Sequence, residues 1–375
     1  MDKSLKTLTV VCERYPTERE PVFTFVDGLA CALSRLGVKI TVVSPQSLTR
    51  VALRGGHLSP RRWMRQTADG VSFPVLQPYY LSFGSFLSGL GQKNYRRAVK
   101  RALGKLPVPD AIYAHFWTSG VPAAESAPGG RKVFVGCGES TVRAGLAADV
   151  KKIGGALGGV VSVSGKNKED CVRLYGLNPK GIEVFPNGVD ETLFKRRDDR
   201  AELRRALSLG DDDFTVAFVG WFDERKGVKR VEAALKGLPG VKVLYIGHGD
   251  QQPEGDNIAF CGRVPHEDIP RYLNAADAFV LPTRAEGCCN AIVEAMACGL
   301  PIISSTGAFN DDLLREDHAI RVDPNDVPAI RDAVLALQSN PARTRAMAEA
   351  ALRFAEDLTV SGRARRIMAF IEKRL

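Results

Sequence analysis

The sequence has no hydrophobic run near the roughly 20 residues that a membrane-spanning helix needs. Its eight cysteines (Cys12, Cys31, Cys137, Cys171, Cys261, Cys288, Cys289 and Cys298) include no Cys-x-x-Cys pair, and most stand inside apolar runs. This excludes zinc-ligand spacing and a disulfide framework, leaving reduced, mostly buried thiols and no metal site. Residues 12–20, CERYPTERE, contain no glycine, so the first strand is not followed by the Gly-x-Gly-x-x-Gly turn of hydride-transfer enzymes. GHGDQQ at 247–252 lacks the third glycine and does not rescue that class. No helix-turn-helix, zinc-finger or RNA-binding signature is present, so no nucleic-acid partner is expected. The opening, MDKSLKTLTVVCERYP, meets charge too early for a signal peptide and reads as a first strand.

What is present is a chain of 375 residues, 45% apolar and 25% charged, long enough for two domains with a core each. Short β-branched runs alternate with helix-period segments throughout. In the first half they are LTVVC (8–12), VKITVVS (38–44), AIYAH (111–115), KVFVGC (132–137) and GVVSVS (159–164). In the second they are TVAFVG (215–220), VKVLYIG (241–247), IAFCG (258–262), AFVLPT (278–283), PIISS (301–305) and AIRVD (319–323). Near-continuous apolar strands separated by helices imply α/β architecture with parallel sheets covered on both faces. Between the first two strands FVDGLACALSRLG sets Phe25, Leu29, Leu33 and Leu36 on one helical face. The pattern restarts near Phe185-Pro186-Asn187-Gly188, which places a boundary there: residues 1–185, residues 186–360 and a C-terminal helix over 361–375.

Charge divides at the same point. Residues 1–185 carry a net +13 and the remainder −4, so the first domain calls for an anionic partner. Residues 61–105 hold nine basic residues and one acid, Asp69, interleaved with Trp63, Tyr79, Tyr80, Phe83 and Phe86. NYRRAVKRALGKL can form a basic amphipathic helix with Tyr95, Val99, Ala102 and Leu103 on one side. That helix either packs its apolar stripe on the sheet or rests on an anionic membrane surface, and both readings stand.

Two stretches carry chemistry. In PTRAEGCCNAIVEAMACGLPIISS (282–305) a strand ends at Pro282, a loop holds Glu286 and Gly287, and a helix runs from about Asn290 to Cys298 before Gly299-Leu300-Pro301. Unpaired backbone N–H groups at the start of that helix make a phosphate seat. Glu286 in the loop and Glu294 one turn into the helix can accept hydrogen bonds from sugar hydroxyls, or are surface and capping acids. In FVGWFDERKGVKRVEAAL (218–235) a strand ends at Gly220 and a helix starts near Gly227. Arg225 and Lys226 between them are two cations able to neutralise a diphosphate, or a solvated basic turn.

The Glu-x7-Glu spacing followed by a small-residue helix and GLP resembles the donor site of the retaining family 4 glycosyltransferases. The wording EGCCNAIVEAMACGLP is especially similar to their teichuronic-acid-type bacterial branch. FVGWFDERKG, VFPNGVD (184–190) and FCGRVPHEDIPRYLNAADAFVLPT (260–283) resemble further motifs of the same family. The resemblance implies two Rossmann-like doubly wound domains facing across a cleft, the GT-B fold. The first binds the acceptor, the second binds the sugar-nucleotide donor, and the final helix packs back towards the first.

By this resemblance Lys226, Arg225, Glu286 and His115 are catalytic, with His115, at the end of the YAHFW strand, facing the acceptor unless it is a core histidine. The donor contacts are Gly220, Gly262, Arg263, Val264, Gly287, Cys288, Cys289, Asn290, Ala291 and Glu294, with Glu286 on the sugar and Glu294 on the ribose. His266 receives no role. Trp221 stands where the family has arginine, with Arg225 as the substitute charge, and Glu139 in GCGEST (136–141) replaces a small residue. The implied reaction is metal-independent transfer with retention from a UDP- or GDP-type donor to a saccharide or lipid-linked acceptor, in bacterial cell-surface polysaccharide synthesis. No cofactor is needed, because the sugar nucleotide is a substrate. The expected location is the cytoplasm or the inner face of the cytoplasmic membrane. A catalytically weak or silent sugar-nucleotide-binding protein of the same fold is the alternative.

Overall fold

The computed structural model describes residues 4–17, 23–54, 57–83, 88–139 and 142–375. The chain divides into two units: Met1–Phe185 with Val360–Leu375, and Pro186–Thr359. Phe86, and Ser140 and Thr141 of the GCGEST loop, lie outside the described residues.

The first unit holds strands β1 (Thr7–Val11), β2 (Lys39–Val43), β3 (Gln46–Ser47), β4 (Arg62–Gln66), β5 (Ser72–Leu76), β6 (Tyr79–Tyr80), β7 (Ala111–His115), β8 (Val133–Cys137), β9 (Leu157–Ser162) and β10 (Ile182–Val184). Its helices are α1 (Thr24–Arg35), α2 (Leu48–Arg54), α3 (Ser88–Leu103), α4 (Trp117–Glu125), α5 (Ala147–Lys152) and α6 (Gly165–Tyr175). Eight strands form one sheet in the order β10-β9-β8-β7-β1-β2-β5-β4, parallel except for the β4–β5 pair. Successive strand residues point to opposite faces, so each strand feeds two cores. Val10, Val42 and Tyr113 join Leu29 and Leu33 of α1 on one face. Val11, Val43 and Ile112 join Val99, Leu103 and Val121 on the other.

The β4–β5 pair is an antiparallel hairpin at the sheet edge, where the sequence pattern had suggested only a basic stretch. RWMRQ alternates exposed with half-buried positions, as an edge strand with solvent on one side does. The following helix α3 buries Tyr95, Val99, Ala102 and Leu103 in the core and leaves Lys93, Arg97, Lys100 and Arg101 exposed. Its apolar stripe therefore packs on the sheet and is not available to a bilayer; its cations are.

The second unit holds β11 (Phe214–Trp221), β12 (Val241–His248), β13 (Ile258–Gly262), β14 (Ala278–Leu281), β15 (Ile302–Ser305) and β16 (Ala319–Val322). Its helices are α7 (Arg200–Ala206), α8 (Val228–Leu235), α9 (Ile269–Ala275), α10 (Asn290–Ala297), α11 (Val327–Gln338) and α12 (Pro341–Ala355). All six strands are parallel, in the order β13-β12-β11-β14-β15-β16. Numbered within the unit this is 3-2-1-4-5-6, the doubly wound order whose ligand crevice lies where strand order reverses, outside the C-terminal ends of the first and fourth strands. Those strands are β11 and β14. The chain's last helix, α13 (Val360–Glu372), belongs to the first unit, where Ile367 and Phe370 pack in the core shared with α1.

Candidate active site

The loops after β11 and β14 bring three of the expected residues together. Glu286 Oε1 accepts hydrogen bonds from Lys226 Nζ at 2.6 Å, Arg225 NH1 at 2.7 Å and Thr283 Oγ1 at 2.9 Å. Arg225 NH1 also donates to the Ala285 carbonyl at 2.9 Å. Among the described residues no donor reaches the second oxygen of Glu286. The side chains of Lys226 and Glu286 are only 12% and 11% exposed, and Arg225 is more open.

The turn that aims Lys226 is fixed locally. Its backbone N–H donates to Asp223 Oδ1 at 2.7 Å, and Gly227 follows with φ 83°, where a Cβ would meet the Arg230 guanidinium at 2.5 Å. Gly220, the last residue but one of β11, lies beneath, against the Lys226 stem. Burial alone would push the Lys226 ammonium down, but the charge and hydrogen bond of the Glu286 carboxylate oppose it, and its pKa is held above the usual range. Lys226 is a fixed cation at any physiological pH.

Helix α10 opens beside this cluster. Cys289 at its N-cap provides no side-chain cap, so the helix start offers backbone N–H groups and the positive end of its dipole. Cys288 and Cys289 are buried, and Cys289 Sγ lies 3.9 Å from Lys226 Nζ. Asn290 accepts from Asn187 Nδ2 at 2.8 Å, and the Asn187 N–H donates to Cys288 Sγ at 3.3 Å. The PNG turn thus braces the loop over 287–290. This contact was not foreseen, although Asn187 sits inside a motif that the sequence flagged.

Glu294, one turn into α10, is paired with His266 Nε2 at 3.1 Å, and the His266 ring lies against Phe194. Burial pushes the imidazole down, but the hydrogen bond and charge of Glu294 reverse this, leaving the pKa of His266 raised. Sequence reading gave His266 no role; its position next to Gly262-Arg263-Val264 was the available signal. Gly262 closes β13, Val264 is half-buried and Arg263 is exposed. Trp221 is 47% exposed and packs edge-on against His248 at 4.2 Å. Arg225, four residues on, reaches Glu286 together with Lys226.

In the first unit His115 ends β7 and is buried, edge-on to Phe25, Tyr113 and Phe116. Burial, with a smaller push from the Arg363 charge, lowers its pKa to about 3, so it is neutral. Glu139 Oε1 accepts from the Trp117 backbone N–H at 2.9 Å at the start of α4, and burial raises its pKa.

Two family models match the chain: Glycosyltransferase Family 4 over residues 22–193 and Glycosyl transferases group 1 over residues 213–340. The chain is a family 4 glycosyltransferase. Over 349 residues the transferase is 25% identical to a Bacillus subtilis (strain 168) protein named as the teichuronic acid biosynthesis glycosyltransferase TuaC, covering 85% of this chain and 86% of that one. Its fold resembles sucrose-phosphate synthase from Thermosynechococcus elongatus, with TM-score 0.77, 18% identity and coverage of 96% and 97% of the two chains. It also resembles Anabaena Alr3699/HepE in complex with UDP, with TM-score 0.73, 17% identity and coverage of 97% and 98%. The fold is GT-B, with two Rossmann-like units.

Proposed function

We propose that the transferase moves a sugar, with retention and without a metal ion, from a UDP- or GDP-type donor to a saccharide or lipid-linked acceptor in bacterial cell-surface polysaccharide synthesis. The observation that carries this reading is the convergence of Arg225 and Lys226 on Glu286 beside the uncapped start of α10. The cations and the α10 N–H groups receive the donor diphosphate, with Gly220 and Gly287 keeping the approach open. The free oxygen of Glu286 accepts a hydroxyl of the donor sugar. Glu294 takes the ribose, and Gly262, Arg263 and Val264 flank the base. UDP in the HepE structure favours a uridine donor. The name of the B. subtilis relative favours a polysaccharide product.

In this mechanism the bond from the anomeric carbon to phosphate oxygen breaks first, and its developing negative charge is met by groups already in place. The acceptor hydroxyl then adds on the same face, its proton passing to the departing phosphate oxygen. His115, neutral and buried, orients the acceptor and does not donate a proton. Lys226 and Arg225 do the charge work that a divalent ion does in other transferases, so activity survives EDTA. Exposed cations on α3 attach the first unit to an anionic membrane surface.

Trp221 favours a second reading, a silent sugar-nucleotide binder, because it stands where the family resemblance calls for arginine. Slow donor hydrolysis without acceptor separates the two, since only a working enzyme shows it. Thermal-shift screening against a panel of sugar nucleotides tests the main reading, because a ligand bound only by the native state raises its stability. A melting temperature unmoved by every UDP- and GDP-sugar in the panel overturns it.

A further inference from the structure

The chain leaves the edge strand β13 at Gly262 and runs through Arg263, Val264 and the extended Pro265 into a single 3-10 turn, His266–Asp268. Proline fixes its own φ, which narrows the path into the turn. The Asp268 N–H closes that turn on the Pro265 carbonyl at 3.0 Å. His266 is thereby set with its ring against Phe194, centroids 5.1 Å apart, and with Nε2 at 3.1 Å from Glu294 Oε1. Phe194 is itself buried, and its backbone N–H donates to the Asp190 carbonyl at 2.8 Å. The imidazole is therefore wedged between a buried ring and a carboxylate that stands 28 residues away on α10.

His266 holds one oxygen of Glu294, and among the described residues no hydrogen bond reaches the other, Oε2. Glu286 repeats this arrangement, with its protein partners gathered on one oxygen. A glutamate side chain rotates readily, and one that must receive neighbouring hydroxyls has to keep its carboxylate plane fixed. A bond to one oxygen removes that freedom and leaves the lone pairs of the other for a ligand. A bond that served only to tie the turn to α10 would leave ligand recognition unchanged when removed. Burial opposes the charge on His266, but Glu294, Glu267 and Asp190 outweigh it and raise its pKa. At pH 6 the ring is therefore an imidazolium and Nε2 is a donor.

We propose that His266 is the positioning residue for ribose recognition: Nε2 holds Glu294 Oε1, so that the carboxylate accepts the ribose hydroxyls of the donor through Oε2. This rests on the reading above that Glu294 takes the ribose. It adds that selection of a ribonucleotide depends on a side chain that itself touches no part of the donor.

The test compares UDP with 2′-deoxy-UDP, and GDP with 2′-deoxy-GDP, by calorimetric titration into the full chain at pH 6. The members of each pair differ by one hydroxyl, so the ratio of their Kd values reads that hydroxyl alone. Wild type should favour the ribonucleotide by at least ~10-fold, as a hydrogen bond to a charged group does. Glu294→Ala should bring the ratio to about 1, and His266→Phe, which keeps a ring against Phe194 but has no donor, to below ~3. His266→Gln, whose amide N–H can replace Nε2, should restore most of the preference. Affinity for the deoxynucleotide should be the same in every variant, and melting temperatures report that each is folded. His266→Ala serves as the second donor-free variant should the phenylalanine ring disturb the fold. An unchanged ratio in the donor-free variants overturns the proposal and leaves the donor reading standing. Equal loss in His266→Phe and His266→Gln overturns it too, because the imidazole then acts by shape and not through its bond. A ratio near 1 in wild type removes Glu294 from the ribose, and the proposal with it, while diphosphate binding persists. Absence of binding by every nucleotide overturns the donor reading itself together with the proposal.

Discussion

The two sheets each reverse strand order once, and the polar groups collected at the two reversals are in opposite states. In the second unit Arg225, Lys226 and Thr283 all bond to one oxygen of Glu286. In the first, Arg14, Arg50 and Arg143 line a cavity with no carboxylate partner among the described residues, beside two enclosed donors that lack acceptors. The same topology thus offers one site whose charges are held in place by the protein and another whose charges lack an anion. Preorganised charge is what transition-state stabilisation needs, because nothing has to be reoriented as the bond breaks. The first unit's Arg50 and Arg143 are exposed and keep their hydration instead. The net charges of the two halves, +13 and −4, agree with that division.

The sharpest way to break this contrast is to remove the preorganised charge. Lys226→Ala and Glu294→Ala are each expected to lower kcat/KM by at least ~10²-fold, the scale of a lost transition-state contact. The fold should persist, since Glu286 keeps Arg225 and Thr283. Steady-state kinetics with circular dichroism checks this; activity within a few-fold of wild type in both variants removes the assignment. On the other unit, replacing Lys93, Arg97, Lys100 and Arg101 by Gln should cut partitioning onto anionic vesicles by roughly 10- to 100-fold at low salt, given about 1 kcal/mol per cation and some turned from the surface. Co-sedimentation measures it, and equal partitioning of wild type onto neutral and anionic vesicles rules it out.

Two histidines give smaller, pH-dependent effects of opposite sign. His115 is held near pKa 3 in the folded state and returns to about 6.5 when unfolded. Between those values the unfolded chain binds the extra proton, so stability falls as pH drops from about 6.5 towards 3. His115→Asn should flatten the acid limb of Tm against pH by several degrees, and no inflection in the wild-type activity profile should belong to this residue. His266 is raised by Glu294, so its pair contributes below about pH 6.5 and fades as pH rises through the raised value. With the ring 38% exposed, the pair is worth at most about 1 kcal/mol. His266→Gln should therefore lower Tm by about 2 °C at pH 6 and by nothing measurable at pH 9. A constant difference across that range would dismiss the ion pair.

The parallel strands were readable because burial on both faces writes itself as unbroken apolar runs, as in AIYAH and VFVGC. The β4–β5 hairpin was not, because RWMRQ lies at an edge and carries cations that any surface segment could carry. At the candidate site the motif residues were legible one by one, since Lys226, Glu286 and Asn290 sit in punctuated loops between strand and helix. Their partners were not. The bonds from Asn187 to Asn290 and from His266 to Glu294 span 103 and 28 residues, and nothing local in sequence encodes a side-chain pair of that separation. The cavity between Arg14, Arg50 and Arg143 escaped for the same reason: three isolated arginines line one cavity only when the sheet order brings β1 and β7 side by side.

Calorimetric titration of UDP into the full chain and into Lys226→Ala tests most directly whether the paired charges of the second unit are a diphosphate seat. A single UDP site in wild type, weakened at least ~10-fold by Lys226→Ala and unchanged by EDTA, is the expected result. UDP binding of equal affinity in both proteins would mean that the Arg225–Lys226–Glu286 cluster is a structural ion pair and that the donor lies elsewhere.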